Sequence, residues 1–233
     1  MSNKLTHIEI FLILVLYVVG IIINNFECDS ALTAVAAVAI MTCAAGRDRW
    51  LLSIGLLLSI PGDFCMKNSD KFTMHIFILG IIFFGLAHLC YCIYFLRHLK
   101  HNNAMLMSLG ILLTGYMIYT MMFLLTPMFR LHQWFFVAGL SYTIISVLSL
   151  ALACGIGFRP LPRILMILSI LGIVISDTII SWTCFVSTTK YSIFIIPLYL
   201  LCHAFMAISM LVETIKVPPQ KIEEISFPES LEM

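Results

Sequence analysis

The sequence predicts an all-α, polytopic membrane protein, a bundle of eight transmembrane helices. Hydrophobic residues make up 61% of the 233 residues, charged residues only 11%, and the mean hydropathy is +1.06. These values lie far outside the range of soluble domains. Apolar runs long enough to cross about 30 Å of hydrocarbon, at about 1.5 Å per helical residue, recur along nearly the whole chain. We therefore expect the protein to be embedded in a lipid bilayer, which is its surrounding solvent and a partner.

The eight predicted spans are separated by short polar connections, such as the TPMFR segment before the sixth span. They cover residues 6–23, 29–45, 50–66, 72–97, 103–125, 132–153, 161–185 and 191–215. The first span is treated as a helix because no small-residue cleavage site follows it, as one would after a signal peptide. Residues 1–215 form the predicted transmembrane domain. The Pro-containing, acidic segment 216–233 is predicted to be a short disordered tail.

The distribution of Lys and Arg predicts the orientation of the chain, since cytoplasmic loops carry an excess of both. On one side lie nine basic residues: Lys4, Arg47, Arg49, Arg97, Lys100, Arg159, Arg163, Lys216 and Lys221. On the other side lie four: Lys67, Lys71, Arg130 and Lys190. Both termini are therefore predicted to be cytoplasmic. We expect the endoplasmic reticulum membrane for a eukaryotic protein and the cytoplasmic membrane for a bacterial one.

The eight cysteines do not indicate a disulfide framework or a metal site. Seven lie in or at the ends of apolar runs, where cysteine behaves as a small hydrophobic residue, and Cys28 has no partner in another loop. Cys90 and Cys92 lack a second Cys or His pair at zinc-ligand spacing. We expect no metal, no cofactor and no nucleic-acid partner; the oligomeric state is not predicted.

Two aspartates, Asp63 and Asp177, lie inside the apolar runs. A carboxylate at membrane depth costs several kcal/mol unless it lines a polar cavity or has a partner, so each indicates a functional site. From the helical rise, Asp63 lies about 20 Å and Asp177 about 21 Å from the inner ends of their helices, while His203 lies about 20 Å and His88 about 14 Å from theirs. All four side chains can face one cavity in the outer half of the bilayer.

The spacing of these residues also predicts a weak internal repeat of two tandem four-helix halves. Asp63 precedes His88 by 25 positions and Asp177 precedes His203 by 26, and the two pairs are displaced by 114 and 115 residues. In each half the Asp falls on the third span and the His on the fourth. Such halves would share one orientation and meet along an axis normal to the membrane.

The chain resembles the lysoplasmalogenase family, the YhhN-like membrane hydrolases, over roughly residues 10–213. The resemblance rests on a Gly-Asp pair, an Ala-His-x-x-Tyr run, a single tyrosine, a Ser-Asp pair, and a tyrosine four positions before a histidine. In the same order, these are Gly62-Asp63, Ala87-His88 with Tyr91, Tyr142, Ser176-Asp177, and Tyr199 with His203. Pro61 and His203 depart from the family, which often has Gln in place of the latter.

The resemblance implies hydrolysis of the vinyl ether bond of a lysoplasmalogen, giving a fatty aldehyde and glycerophosphoethanolamine or glycerophosphocholine. It also implies that Asp63 and Asp177 are the catalytic pair. The chemistry agrees, because a vinyl ether is cleaved through protonation of its alkene carbon, which requires one acidic group and one anion. Two neighbouring buried carboxyl groups lose their protons at different pH and can divide these roles without a metal.

The remaining polar residues are candidates for substrate binding or support. Ser59 and Ser176 are near enough in sequence to hydrogen-bond the aspartates, and His88 or His203 could orient a carboxylate or bind the lipid phosphate. Tyr91, Tyr142 and Tyr199 complete this set. Helix packing and interhelical hydrogen bonding are the alternative roles for all of them.

Other interpretations of the sequence stay open. Asp63 could cap the outer end of its helix, since a polar loop begins four positions later. A proton- or cation-coupled transporter would also contain buried Asp and His, although the paired Gly/Pro interruptions typical of broken transporter helices are not evident. A receptor or scaffold would have no use for two aspartates at one depth.

Overall fold

The computed structural model describes residues 3–24, 49–67, 74–100, 103–186 and 191–214, and these are almost entirely helical. Within them, the one β feature is an isolated bridge between Leu99 and Ile156. The helices are α1 (Asn3–Asn24), α2 (Trp50–Lys67), α3 (Met74–Arg97), α4 (Asn103–Thr120), a π-helical segment (Met121–Leu125), α5 (Thr126–Leu131), α6 (Gln133–Cys154), α7 (Pro160–Phe185), a 3₁₀ turn (Ser192–Phe194) and α8 (Ile195–Thr214).

These helices confirm a multi-pass helical membrane protein. Within the described residues, five segments are long and apolar enough to cross a bilayer: His75–Arg97, Ala104–Leu131, Gln133–Cys154, Pro160–Phe185 and Ser192–Glu213. Ile8–Val19 and Trp50–Met66 are shorter apolar helices. The predicted span at 29–45 and the predicted tail at 216–233 lie outside the described residues. Seven of the eight predicted spans thus coincide with helical segments.

One predicted loop is wrong. The TPMFR segment was expected to connect two spans, but α4 continues through the π-helical segment into α5 and ends only at Leu131. Pro127 has no backbone N–H to donate, and this interrupts the regular hydrogen-bond ladder. The hydroxyl of Thr126 donates to the carbonyl of Met121 at 2.8 Å, and that of Thr120 donates to the carbonyl of Tyr116 at 2.9 Å. Helices in lipid tolerate proline when nearby hydroxyls and local π geometry satisfy the freed groups in this way.

The helices form two antiparallel hairpins, α2 with α3 and α7 with α8. α3 packs on α6, which also contacts α4 and α7, and α1 lies on α8. Small residues allow the close approaches. A Cβ on Gly62 would lie 3.0 Å from the Phe84 ring, and one on Gly172 would overlap the sulfur of Cys202. The α2/α3 and α7/α8 hairpins correspond in the predicted repeat, which itself stays a prediction.

Charged and polar groups gather at one end of the bundle, which we call the inner end after its predicted orientation. There Lys100 N donates to Gly155 O at 3.1 Å and Gly157 N donates to His98 O at 2.9 Å, joining the ends of α3 and α6. Arg159 Nε lies 3.4 Å from Glu213 Oε2, joining the start of α7 to the end of α8. The ends of α3, α6 and α8 and the start of α7 were predicted to share one membrane face, and they lie together at one end of the bundle. The half of the bundle away from them is the outer half.

Candidate active site

Asp177 lies in α7 with its side chain directed towards α6. The residue is 8% exposed, and the hydroxyl of Tyr142 on α6 donates a short hydrogen bond to its Oδ2 atom. No other hydrogen bond to this carboxyl group is made within the part of the chain that the structure describes. Tyr142 therefore fixes the orientation of the carboxyl group and leaves Oδ1 available.

Asp63 has the same kind of partner on a different helix. The hydroxyl of Tyr199, on α8, donates to Asp63 Oδ2 at 3.2 Å and so joins α2 to α8. Asp63 is partly exposed, unlike Asp177. The capping role considered for Asp63 is thus not needed to explain its position, since a buried phenol is its partner. Both aspartates are held by tyrosines that the sequence had singled out.

The four titratable groups lie in one region of the bundle. The carboxyl groups of Asp63 and Asp177 are close enough to interact electrostatically, as are the imidazoles of His88 and His203. Each histidine packs edge-on against one of the two tyrosines: the ring centroids are 5.5 Å apart for His88 and Tyr142, and 4.2 Å apart for His203 and Tyr199. The arrangement is two Asp–Tyr pairs, each with a histidine beside the phenol.

The two histidines are anchored differently. His203 Nδ1 lies 2.8 Å from the carbonyl oxygen of Tyr199, so this nitrogen carries the proton and donates it. His88 Nδ1 lies 2.7 Å from Ser149 Oγ on α6. His88 is 2% exposed, and its Nε2 atom has no hydrogen-bond partner among the described residues. His88 thus keeps one nitrogen available next to the Tyr142–Asp177 pair.

A small cavity of about 40 Å³ lies against Asp177, and we call it the site cavity. Its wall is mostly apolar and comes from α2 to α7, including both leucines that the π-helical segment presents. The lining residues are Met66, Phe77, Ile81, Phe84, Tyr116, Leu124, Leu125, Met128, Gly139, Tyr142, Thr143, Asp177, Ile180 and Ser181. The expectation that all four titratable groups face one cavity is thus wrong for this cavity, because Asp177 lines it and Asp63, His88 and His203 do not. The cavity presents one carboxyl group in an otherwise apolar space.

Two predicted supporting residues, Ser59 and Ser176, do not hydrogen-bond the aspartates as expected. Ser59 donates to the carbonyl of Gly55 at 3.2 Å, within its own helix, and Ser176 donates to the carbonyl of Ile195 at 3.3 Å. A serine hydroxyl has a single hydrogen to donate, so the expected hydrogen bonds from these residues to the carboxyl groups are wrong. Tyr91 is 1% exposed and packs its ring 5.6 Å from that of His88.

Other polar residues at the site were not identified from the sequence. Ser149 holds His88, Thr143 lines the cavity, and Tyr116 lies 2.8 Å from Thr178 Oγ1, bridging α4 and α7 beside Asp177. The sequence signal for these residues is a hydroxyl group inside an apolar span. Residues that only pack between helices show the same signal, so it does not identify a site residue. No group of three or more His, Cys, Asp or Glu residues that could hold a metal lies within the described ranges.

The fold and the site define a class: a polytopic helical membrane protein with two tyrosine-bound carboxyl groups beside an apolar cavity. The chain belongs to the YhhN family, whose model matches residues 25–210. This family includes lysoplasmalogenases, which confirms the resemblance seen in the sequence. No curated protein and no solved structure matches the chain.

Proposed function

We propose that this protein is a lysoplasmalogenase-like hydrolase that cleaves the vinyl ether bond of lysoplasmenylethanolamine or lysoplasmenylcholine. The observation that carries the proposal is a pair of carboxyl groups within the helical bundle, each bound by a tyrosine, of which Asp177 lines an apolar cavity. Family membership supports the reaction class. A lysoplasmalogen has one hydrocarbon chain and one polar head, and its reactive bond lies where the two meet.

The reaction follows from the chemistry of the bond. A proton is added to the alkene carbon that does not bear the ether oxygen. This leaves an oxocarbenium ion at the carbon that bears the oxygen. Water attacks that carbon and loses a proton, and the resulting hemiacetal breaks its C–O bond to give the aldehyde and the glycerol hydroxyl. One carboxyl group must donate the first proton, and a carboxylate must stabilise the cation and accept a proton from water.

The positions of the two aspartates favour a division of these roles. Asp177 lines the site cavity and is placed to meet the alkene, so we assign it the proton donation. Asp63 is more exposed and is held by Tyr199, so we assign it the activation of water. Tyr142 and Tyr199 are positioning residues that fix one oxygen of each carboxyl group. His88 lies beside Tyr142 and has no hydrogen-bond partner for its Nε2 atom among the described residues, so we assign it the orientation of the water or the substrate.

The test is aldehyde release by purified protein in detergent micelles, with lysoplasmenylethanolamine and lysoplasmenylcholine as substrates and the acyl lysolipids as controls. We expect aldehyde from the vinyl ether lipids, and we expect a chelator to leave the rate unchanged, because the proposed steps use carboxyl groups alone. No hydrolysis of any vinyl ether lysolipid, together with gradient-driven uptake in liposomes, would contradict the proposal and favour a transporter.

We further propose that residues 29–45 form an eighth membrane-spanning helix, so that both termini lie on one side of the membrane, and that this side is cytoplasmic because it carries the excess of Lys and Arg. In a variant with Cys28→Ser, a cysteine at Asn68 should react with an impermeant thiol reagent added to the outside or lumen, and a cysteine at Asn102 should not. The parent Cys28→Ser protein is the control for the native cysteines within the bundle. The reverse labelling pattern would contradict the orientation.

A further inference from the structure

A second cavity opens on the lipid-facing side of the bundle between α3 and α6, and we call it the α3–α6 groove. Its volume is about 360 Å³. It is lined by Ile78, Ile81, Ile82, Gly85, Leu86, Leu89, Trp134, Val137, Ala138, Ser141, Tyr142 and Ile145. Apart from the hydroxyls of Ser141 and Tyr142 and the indole N–H of Trp134, these side chains are apolar, so the groove suits a hydrocarbon ligand.

The groove adjoins the site cavity. Ile81 and Tyr142 line both spaces, and the Tyr142 hydroxyl is bound to Asp177. A chain lying in the groove therefore passes the ring whose hydroxyl holds the carboxyl group.

Small side chains on both walls create the groove. Gly85 on α3 is buried, and the Tyr142 ring, at 4.0 Å, is the one neighbour within 4 Å of a Cβ added there. Ala138 and Ser141 line the facing wall on α6. The rim is formed by larger exposed side chains such as Leu86 and Val137. Glycine at position 85 therefore leaves room that a bulky residue would fill.

The length of the groove indicates a single chain. From Ile78 to Leu89 it runs about 17 Å along α3, at about 1.5 Å per residue, which is about half of the roughly 30 Å hydrocarbon core. At its deeper end α3 and α6 are joined by His88 and Ser149 at 2.7 Å, and near its outer end by the Phe77 and Phe135 rings at 5.6 Å. A partner helix would need a face along the whole bilayer, whereas one hydrocarbon chain fits this slot.

We propose that the α3–α6 groove is the portal and binding site for the single hydrocarbon chain of the lysolipid, which enters sideways from the outer leaflet, and that Gly85 and Ala138 determine which chains it accepts. The inference rests on the proposed function for the identity of the head group and the reactive bond. The groove itself is defined by its apolar walls and by Tyr142, which lines it and binds Asp177.

The first experiment compares chain selectivity in Gly85→Phe with that in Gly110→Phe. Gly110 is a matched control because it is an exposed helical glycine on α4 with nothing within 4 Å of an added Cβ. We expect Gly85→Phe to lower the ratio of kcat/KM for a long-chain over a short-chain lysoplasmalogen by at least about tenfold, or about 1.4 kcal/mol, because the added ring would fill the space that the long chain occupies. Gly110→Phe should leave the ratio unchanged. Ala138→Phe, on the facing wall, serves if Gly85→Phe does not insert. An equal loss on both substrates, or no loss, would overturn the proposal.

A second experiment does not depend on hydrolysis. A non-hydrolysable alkyl ether lysophosphoethanolamine with a photoreactive diazirine in its chain should label peptides within 78–89 and 134–145. An excess of the unlabelled alkyl ether lipid should compete, and Gly85→Phe should lose the labelling while Gly110→Phe keeps it. Uncompeted labelling spread over all lipid-facing helices, or cross-linked dimers through this face, would overturn the groove assignment. If labelling succeeds but no vinyl ether lipid is hydrolysed, the proposed function fails and the chain site stands.

Discussion

Carboxyl groups at the two ends of the bundle are stabilised in different ways. At the inner end, Glu213 faces the guanidinium of Arg159 at 3.4 Å and accepts a hydrogen bond from its backbone N–H at 3.3 Å. In the outer half, Asp63 and Asp177 have phenol hydroxyls as partners.

This difference sets a carboxylate whose position is explained against two whose positions are not. A carboxylate paired with a cation near the membrane surface joins two helix ends and needs no further explanation. A carboxyl group held within the bilayer by neutral partners is costly, and two of them in one bundle are more costly still. The inner carboxylate therefore serves as the control for the role proposed for the outer pair.

The largest expected effect is the loss of the outer carboxyl groups. Asp177→Asn and Asp63→Asn should each remove nearly all aldehyde release while the protein still inserts, and the double variant should be little worse than either single one, because residues that act as a unit are not additive. Glu213→Gln makes the same chemical change at the inner end and should keep most of the activity. A loss of less than about tenfold in Asp177→Asn, about 1.4 kcal/mol of barrier, would break the comparison.

A smaller effect is expected when the tyrosine partners are removed. A hydrogen bond to a charged group is worth about 1.5–3 kcal/mol, so Tyr142→Phe and Tyr199→Phe should lower kcat/KM about 10- to 100-fold. Tyr94→Phe is the control at the inner end, where the hydroxyl donates to Met210 Sδ at 3.5 Å, and it should change kcat/KM by less than about twofold. Equal effects of the outer and inner tyrosines would show that the phenols act through packing alone.

The smallest expected effect is on stability at the inner end. Arg159 and Glu213 have side chains that are 35% and 27% exposed, so solvent screens their attraction. Glu213→Gln should lower the free energy of unfolding by less than about 1 kcal/mol. Thermal unfolding in micelles measures this. A much larger loss would mean that the inner pair holds the bundle together, and the variant would no longer serve as a neutral control for Asp177→Asn.

Much of the fold and the identity of the outer pair could be predicted from the sequence. Apolar length predicts a helix in lipid directly, and the fixed rise per residue places Asp63 and Asp177 at one depth before any contact is known. The α2/α3 and α7/α8 hairpins, which carry the aspartates and histidines, follow from short connections. TPMFR was mistaken for a loop because a proline in a polar stretch resembles one.

The partners within the site could not be predicted, because they depend on how each helix is rotated about its axis. Ser59 and Ser176 stand closest to the aspartates in sequence, yet their hydroxyls bind backbone carbonyls, as serine does in helices. Tyr142 and Tyr199 are distant in sequence from the carboxyl groups that they bind. Depth follows from counting residues, whereas pairing requires the three-dimensional packing.

The pH dependence of aldehyde release tests the central claim most directly. If one carboxyl group works protonated and the other ionised, turnover by the wild-type protein in micelles should be bell-shaped in pH. It should fall on the acidic side as the base gains a proton, and on the alkaline side as the acid loses one. Because the groups interact, both limbs belong to the pair. A bell-shaped profile that is unchanged by a chelator is the predicted result; a profile with a single limb, or a rate that requires a divalent metal, would contradict the two-carboxyl account.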